Sequence, residues 1–409
     1  MTEHLDMPVE EARARANSFD PQRPGLDFYE NPYPVYAALR EFDPVHCCPD
    51  GSYFLTRYAD LDRIYRDRNS FSSDKKSVFA PKFGVGSPLY EHHTTSLVFN
   101  DAPYHSRVRR TIVGALKPQV LQAMQPQIIK LVDRLLDRID GLRQFDLIED
   151  FAAAIPVEVI GNLLRLPHED RGSLRDWSLA ILGALEPLVT AEQRFTGDRA
   201  VREFTDYLGA HLADRRRNPG NEDDLLSRLL RDEQLSEAEL LQNCVFLLNA
   251  GHETTANLIG NGLHLLLANP DSLKRLREQP QLIGTTVEEC LRFESSNQLG
   301  NRLVIEPVTV REVTLEPGTY LTLCIGAANR DSEEFKNPDR FDIARNPNRH
   351  LAFGAGAHAC AGMSVARLEA QIAILGMVQR FPHLRLDGTP VRGQRARFRG
   401  FRSMPASVS

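Results

Sequence analysis

The sequence lacks the segments that would direct a protein into or through a membrane. Its first 18 residues, MTEHLDMPVEEARARANS, have no apolar core of the kind that a secretory signal requires, and no later apolar run approaches about 18 residues. Strong charge is also lacking, because the formal net charge is only -6, which gives no reason for binding to nucleic acid or anionic lipid. We therefore expect a soluble, cytoplasmic protein.

Cysteine is sparse, with six residues in a chain of 409. In a reducing compartment a disulfide framework is not expected for so large a chain. An isolated cysteine is usually an inert, small core residue, and this is our interpretation of the cysteines at positions 47, 48, 244, 290 and 324. The sixth, Cys360, has a different setting, described below.

Internal repeats and long Gly/Ser-rich or Pro-rich linkers are missing as well, so we predict a single domain over residues 28–409, preceded by a partly disordered tail at residues 1–27. Apolar residues recur at three- and four-residue spacing through most of the chain, which predicts a mainly α protein. Strand patterns are fewer, at residues 45–48, 53–56, 303–310 and 320–324. They predict a small β-rich region beside the helices.

One predicted helix is much longer than the others. It begins at Ser236, where Ser-Glu-Ala-Glu forms a capping box with Glu239, and ends near Asn269-Pro270. Its length would be roughly 50 Å, whereas a compact chain of this size has a radius of gyration of roughly 22 Å. The helix must therefore run through the molecule, and we expect the polar groups at its middle to be buried.

Cys360 lies in the segment Phe-Gly-Ala-Gly-Ala-His-Ala-Cys-Ala-Gly, residues 353–362, directly before a helical pattern at 363–380. Unpaired N–H groups and the dipole at a helix start stabilise an ionised sulfur, and glycines allow a flat partner to approach the backbone closely. An anionic sulfur in such a place is a good ligand for haem iron. The residues themselves thus point to Cys360 as an iron ligand.

This segment resembles the haem-binding signature of the cytochrome P450 family, Phe-x-x-Gly-x-x-x-Cys-x-Gly, and matches it at every fixed position. Other landmarks of the family follow in the expected order from about residue 28 to the end. The resemblance implies the family's triangular prism of about a dozen helices with a small β-rich region. It also implies haem b as the cofactor, held through contacts from Phe353, Gly354, Cys360 and Gly362.

A second motif, Ala-Gly-His-Glu-Thr-Thr at residues 250–255, interrupts the long helix at its centre. A threonine hydroxyl can bond to the carbonyl four residues earlier, here that of Ala250, and bend the helix. A carboxylate beside a hydroxyl can relay the protons that oxygen activation requires. The resemblance implies Glu253 as the proton source and Thr254 as the residue that steadies the peroxide, whereas we expect His252 to pack or hydrogen-bond.

Haem carries two propionates, which need cations, preferably arginines. His105 and Arg109 are four residues apart and would share one face of a helix that begins there. The resemblance implies that this pair contacts propionates, as do Arg302 and His358. Arg107 and Arg110 are open to two interpretations, as solvated cations or as contacts for a partner protein.

Glu289 and Arg292 are three residues apart and lie on one helical face, which by spacing alone indicates an ordinary surface ion pair. The resemblance changes this interpretation, because Glu-x-x-Arg is a second family signature that pairs with a downstream arginine, here Arg345. We assign these three residues to a buried structural triad.

The substrate pocket is weakly encoded. By resemblance, the segments that contribute to it are residues 71–97, 179–188, 243–254 and 295–299, and we single out Leu247, Ala250, Ser296 and Asn297. Polar residues stand at 295–298 where many relatives have a proline pair and an apolar residue. Two interpretations stay open: a substrate that already bears oxygen or nitrogen, or side chains that satisfy local backbone groups.

The resulting hypothesis is a monooxygenase that uses O2 and two external electrons to hydroxylate or epoxidise a small, largely hydrophobic molecule. Two alternatives stay open: an oxidase of the same fold that catalyses phenol coupling, desaturation or peroxide-driven oxidation, and a haem sensor without activity. Because one domain accounts for the 409 residues, we expect electrons to come from a separate ferredoxin or flavodoxin and its NAD(P)H-dependent reductase. A basic face around Arg107, Arg110 and Lys117 would steer such an acidic partner.

Overall fold

The computed structural model describes residues 7–218 and 225–408, so the first six residues of the predicted tail lie outside the described residues. The described part is mainly α, as expected. Its seventeen α-helices exceed the expected dozen because several span only one or two turns. The helices are α1 (Val9–Asn17), α2 (Leu26–Glu30), α3 (Tyr33–Phe42), α4 (Tyr58–Arg66), α5 (Lys76–Phe83), α6 (Pro88–Thr95), α7 (Tyr104–Ala115), α8 (Pro118–Asp140), α9 (Ala154–Leu163), α10 (Gly172–Gly183), α11 (Ala191–Arg217), α12 (Leu225–Leu230), α13 (Glu237–Ala268), α14 (Pro270–Glu278), α15 (Ile283–Phe293), α16 (Ile325–Ala328) and α17 (Met363–Arg380).

The strands are short. They are β1 (Val45–Cys47), β2 (Tyr53–Leu55), β3 (Phe71–Ser72), β4 (Phe145–Asp146), β5 (Leu299–Val304), β6 (Val308–Val310), β7 (Val313–Leu315), β8 (Tyr320–Cys324), β9 (Arg385–Leu386), β10 (Val391–Arg392), β11 (Phe401–Ser403) and β12 (Pro405–Ser407). Five of them form one sheet in the order β1-β2-β8-β5-β3. The predicted strand at 303–310 is in fact the end of β5 followed by β6, with a break at residues 305–307.

The chain forms two compact units. The strand-rich unit comprises residues 7–73, 260–360 and 385–405, and contains the five-stranded sheet. Its apolar cores lie over β5 and β8 and around α1 and α3. The helical unit comprises residues 74–218, 225–259, 361–384 and 406–408, and its core contains residues of α5 to α7, α10 to α12 and the first part of α13.

The long helix predicted from the sequence is present as α13. Helix α13 begins and ends within one residue of the prediction, and its capping box is present: the Glu239 backbone N–H donates to Ser236 Oγ at 3.2 Å, and the Ser236 N–H donates to Glu239 Oε2 at 2.7 Å.

Within the segment predicted as a tail, residues 9–17 form α1. The small, fully buried side chains of Ala12 and Ala16 let this helix pack closely on α3. Among the described residues, no helix combines the length and the apolarity needed to cross a bilayer.

Candidate active site

Cys360 closes a tight turn in the strand-rich unit. Gly354 and Gly356 adopt left-handed backbone conformations, with φ of +66° and +67°, which favour glycine. The Cys360 N–H then donates to the Phe353 carbonyl at 2.9 Å. Helix α17 begins at Met363, as the sequence predicts. The Cys360 residue is exposed.

The other cysteines differ from Cys360 in their surroundings. Burial raises the pKa of Cys48, Cys244 and Cys324 to about 12, and that of Cys290 further. These four side chains therefore stay protonated and unreactive at neutral pH. Cys47 is exposed at the end of β1.

The predicted triad is assembled in the strand-rich unit. Arg292 binds Glu289 through two hydrogen bonds of 2.8 Å, and Arg345 Nε lies 3.0 Å from the same carboxylate. Arg292 also donates to the carbonyls of Asn329 and Pro338 at 2.9 and 2.8 Å. Since the Glu289 and Arg292 side chains are fully buried, this is not the surface ion pair that spacing alone would suggest.

A second buried charge cluster was missed in the sequence. Glu294 forms ion pairs with Arg399 and, at 3.7 Å, with Arg392, and accepts a hydrogen bond of 3.0 Å from Tyr33 Oη. Burial alone would raise the pKa of Glu294, but Arg399, Arg392 and Arg330 together lower it to about 2. These residues are scattered over the chain, so no short motif could have revealed them.

Polar residues 295–298 fall into two groups. Ser295 Oγ donates to the Leu291 carbonyl at 2.7 Å and accepts from Asn329 at 2.8 Å, and Gln298 Nε2 donates to the Ser295 carbonyl at 2.7 Å. Ser295 is therefore satisfied by its surroundings, and Gln298 is satisfied at Nε2. Within residues 7–218 and 225–408, Ser296 Oγ, Asn297 Oδ1 and Gln298 Oε1 are buried without a hydrogen-bond partner.

In the helical unit, the middle of α13 has the predicted local geometry. Thr254 Oγ1 donates to the Ala250 carbonyl at 2.8 Å, which is the back-bond expected from the sequence. Glu253 is 6% exposed, so the carboxylate of the motif is buried as predicted. A Cβ at Gly251 would lie 3.4 Å from Ile160, an ordinary contact, so packing within the protein does not demand this glycine. The pocket candidates Leu247 and Ala250 are half-buried on the same helix.

The neighbouring face of α13 carries buried polar groups that are uncharged at neutral pH. Ser178 Oγ donates to Asn249 Oδ1 at 2.9 Å, and both residues are buried. Burial, with a smaller contribution from Arg175, lowers the pKa of His252 to about 4. His252 is therefore a neutral imidazole, which is consistent with the packing role that we expected.

Another buried glutamate of this unit was not predicted. Glu369 on α17 is 3% exposed, and its Oε2 atom has no hydrogen-bond partner in the described parts of the chain. Burial raises the pKa of Glu369 to about 8. The signal in the sequence was a single glutamate inside the apolar helical pattern 363–380, which we interpreted only as a helix.

The predicted propionate contacts are divided between the units. His105 is buried and Arg109 half-buried on α7 of the helical unit, whereas Arg302 is buried on β5 and His358 half-buried in the strand-rich unit. Among the predicted docking cations, Arg107 is engaged locally, 3.5 Å from the Glu239 carboxylate. Arg110 and Lys117 are exposed.

Comparison with known proteins gives consistent matches. A family model described as Cytochrome P450 matches residues 185–400. Biotin biosynthesis cytochrome P450 of Bacillus subtilis (strain 168) is 37% identical over 379 residues, which cover 88% of this chain and 91% of that protein. Polyketide biosynthesis cytochrome P450 PksS of the same strain is 33% identical over 404 residues, with coverage of 94% and 98%.

The same similarity is found among solved structures. The crystal structure of P450BioI in complex with hexadec-9Z-enoic acid ligated acyl carrier protein matches with a TM-score of 0.89 and 35% identity. The match covers 94% of this chain and all of that one. The likeness therefore extends over nearly the whole chain.

Proposed function

Since the chain belongs to the cytochrome P450 family, whose members are haem b monooxygenases, we propose that it oxidises a small, largely hydrophobic organic molecule. One oxygen atom of O2 enters the substrate by hydroxylation or epoxidation. The other leaves as water after taking up two electrons and two protons. The electrons come from outside the chain.

The residues of the strand-rich unit fit haem. Cys360 is an exposed residue of a turn whose glycines leave the backbone open to a flat group, and buried Arg302 supplies a cation for a propionate. We assign Cys360 as the iron ligand, with Phe353, Gly354 and Gly362 beside the ring. His105, Arg109, Arg302 and His358 are assigned to the propionates. Bound through a thiolate, haem supplies the redox chemistry that activates O2.

The observation that carries the proposal is the buried acid beside a back-bonded hydroxyl in α13. The Glu253 side chain lies away from bulk water, and the bond from Thr254 to Ala250 fixes the hydroxyl in one orientation. Such a pair can hold and pass protons during oxygen reduction. A haem sensor would gain nothing from it, and an enzyme specialised for peroxide would not need it, whereas phenol coupling and desaturation remain variants of the same chemistry.

The substrate class is refined by residues 295–298. Ser295 is bonded locally, whereas Ser296 Oγ, Asn297 Oδ1 and Gln298 Oε1 are buried without partners among the described residues. Because Gln298 is anchored through Nε2 to the Ser295 carbonyl, we take Ser296 and Asn297 as the candidates for binding a substrate. A buried polar atom without a partner is costly. We therefore propose a substrate that carries at least one oxygen or nitrogen group.

For electron supply we propose a separate ferredoxin or flavodoxin with its reductase. Exposed Arg110 and Lys117 offer positive charge to an acidic partner. Arg107 contributes less, because it is already paired with Glu239.

The test begins with a ligand screen by the optical shift of bound haem, followed by turnover of the compounds found, with surrogate redox partners. Replacing the acid (Glu253→Gln) should lower product formation by about 10²-fold without changing haem content. The control is Glu237→Gln on the same helix, which removes an exposed carboxylate paired with Arg216 and should leave turnover unchanged. Full activity of Glu253→Gln would contradict the role of the acid, and ligands without any oxidised product would favour the sensor.

A further inference from the structure

Tyr65, near the end of α4, contacts the strand that carries Arg302. The guanidinium carbon of Arg302 lies 5.0 Å from the centroid of the Tyr65 ring, within the range of a cation–π interaction. Both residues belong to the strand-rich unit and are buried, at 6% and 8% exposure. A cation–π contact away from water is stronger than one on the surface, so the ring restricts where the guanidinium can lie.

Because Gly300 has no side chain, the Tyr65 side chain can occupy the space beside it. Residues 300 and 302 are two apart on β5 and therefore lie on the same face of the strand. A Cβ at position 300 would be 1.9 Å from Tyr65 Oη and 3.1 Å from Cζ. The aromatic side chain thus lies across β5, with its hydroxyl on Gly300 and its ring beside Arg302, and only glycine accommodates it.

The backbone of Tyr65 contacts a second segment, the turn that carries Cys360. A Cβ at Gly356 would lie 2.4 Å from the Tyr65 carbonyl oxygen and 3.2 Å from the Cα of Arg66. The Gly356 carbonyl in turn accepts a hydrogen bond of 3.2 Å from the Ala359 N–H, next to Cys360. The end of α4 is therefore packed directly on the turn, with no side chain between them.

We propose that Tyr65 is a positioning residue for haem, which holds the Arg302 guanidinium in place for a propionate and keeps it in register with the Cys360 turn. The inference rests on the proposed roles of Cys360 and Arg302. Burial also raises the pKa of Tyr65 to about 12, so its hydroxyl stays protonated and its ring neutral at neutral pH. Tyr65 acts through its ring face and its backbone, and its hydroxyl is needed only to fill the space at Gly300.

The test measures how fast the holoprotein loses haem to an excess of apomyoglobin. Tyr65→Leu should lose haem about tenfold faster than the natural protein, because the contact with Arg302 is gone, whereas Tyr65→Phe should stay within about twofold. Tyr58→Leu is the matched control, since Tyr58 lies on the same helix and donates to the Arg349 carbonyl. If Tyr58→Leu accelerates haem loss as much as Tyr65→Leu, the inference is overturned.

A double-variant cycle tests whether Tyr65 works through Arg302. Haem loss from Tyr65→Leu/Arg302→Gln should be no faster than from Arg302→Gln alone, and additive effects would contradict the inference. The reduced carbon monoxide spectrum is recorded in parallel. A thiolate band in the natural protein together with additive effects would refute the role of Tyr65 alone, whereas the lack of that band would refute the proposed function itself.

A second variant covers the case in which Tyr65→Leu does not fold. Gly300→Ala displaces the ring without deleting it and should accelerate haem loss. Adding Tyr65→Phe removes the atom nearest to the new Cβ, so Gly300→Ala/Tyr65→Phe should lose haem more slowly than Gly300→Ala. No recovery would count against the proposed position of the ring.

Discussion

Two buried glutamates, one in each compact unit, have opposite electrostatic settings. Glu294 in the strand-rich unit is surrounded by arginines, which lower its pKa to about 2. Glu369 in the helical unit is buried without such partners, and its pKa rises to about 8. At neutral pH the first is a fixed charge and the second is a neutral acid.

The two units also differ in the other polar groups that they bury. The strand-rich unit, which carries Cys360, buries charges in hydrogen-bonded pairs such as Glu289 with Arg292. Around the middle of α13 the helical unit buries neutral polar groups, including His252 with a pKa of about 4, although elsewhere it also buries charged side chains such as Arg171. Charged groups are thus buried where each has a partner of opposite charge, whereas a buried group without such a partner is kept in its neutral form.

Removing a charge from the triad should have the largest effect on the protein. Arg292→Ala leaves Glu289 buried with only Arg345 as a cation, and should destabilise the fold by about 3–5 kcal/mol. We expect no haem incorporation by this variant, measured as the ratio of haem to protein after purification. Arg311→Ala, which removes a partly exposed partner of Asp60, should incorporate haem normally; stable holoprotein from Arg292→Ala would refute the structural role of the triad.

The second prediction concerns pH and Glu369. Because its folded pKa is raised from about 4.5 to about 8, the folded state binds the proton more tightly, and stability falls as pH rises through that window. The Gln side chain of Glu369→Gln does not titrate. The free energy of unfolding of this variant, relative to that of the natural protein, should therefore rise by roughly 1 kcal/mol per pH unit between pH 5 and 8. Urea unfolding at several pH values measures this difference.

Glu294→Gln is the matched control for that experiment. The pKa of Glu294 is lowered to about 2, so the stability it provides is lost only as pH falls from about 4.5 toward 2. The destabilisation caused by Glu294→Gln should therefore be constant between pH 6 and 8. If both variants showed the same pH dependence above pH 6, the contrast between the two units would be lost.

Replacing either of two adjacent serines, Ser295 or Ser296, by alanine should have smaller effects, which differ between the two positions. Ser295→Ala breaks two buried hydrogen bonds and should cost about 1–2 kcal/mol of stability with little change in ligand affinity. Ser296→Ala removes a hydroxyl without a partner in the described structure, so stability should hold while affinity for an oxygenated substrate falls by up to about tenfold. Thermal unfolding and optical titration measure the two quantities, and a reversed pattern would exclude Ser296 from the pocket.

Local signals in the sequence predicted local structure well. The Ser236–Glu239 capping box determined the start of α13, and the four-residue spacing predicted the bond from Thr254 to Ala250. Family resemblance supplied the pairing of Glu289 with Arg345, which lies 56 residues away. The contact between Tyr65 and Arg302 was beyond both kinds of inference, because it depends on how α4 packs on β5.

Burial and hydrogen bonding were the other unpredicted quantities. A serine pair at 295–296 looks uniform in the sequence, yet one hydroxyl is bonded twice and the other has no partner in the described structure. Likewise, a glutamate in a helical pattern does not reveal whether cations surround it. Only the tertiary structure distinguishes Glu294 from Glu369.

The proposed chemistry depends most on Cys360 as the sulfur ligand of haem iron. The reduced carbon monoxide spectrum of the purified protein tests this directly, because it distinguishes thiolate from imidazole ligation. We predict a thiolate band in the natural protein and its loss in Cys360→His, even if that variant retains haem. A natural protein that binds no haem, or shows an imidazole-type band, would contradict the account.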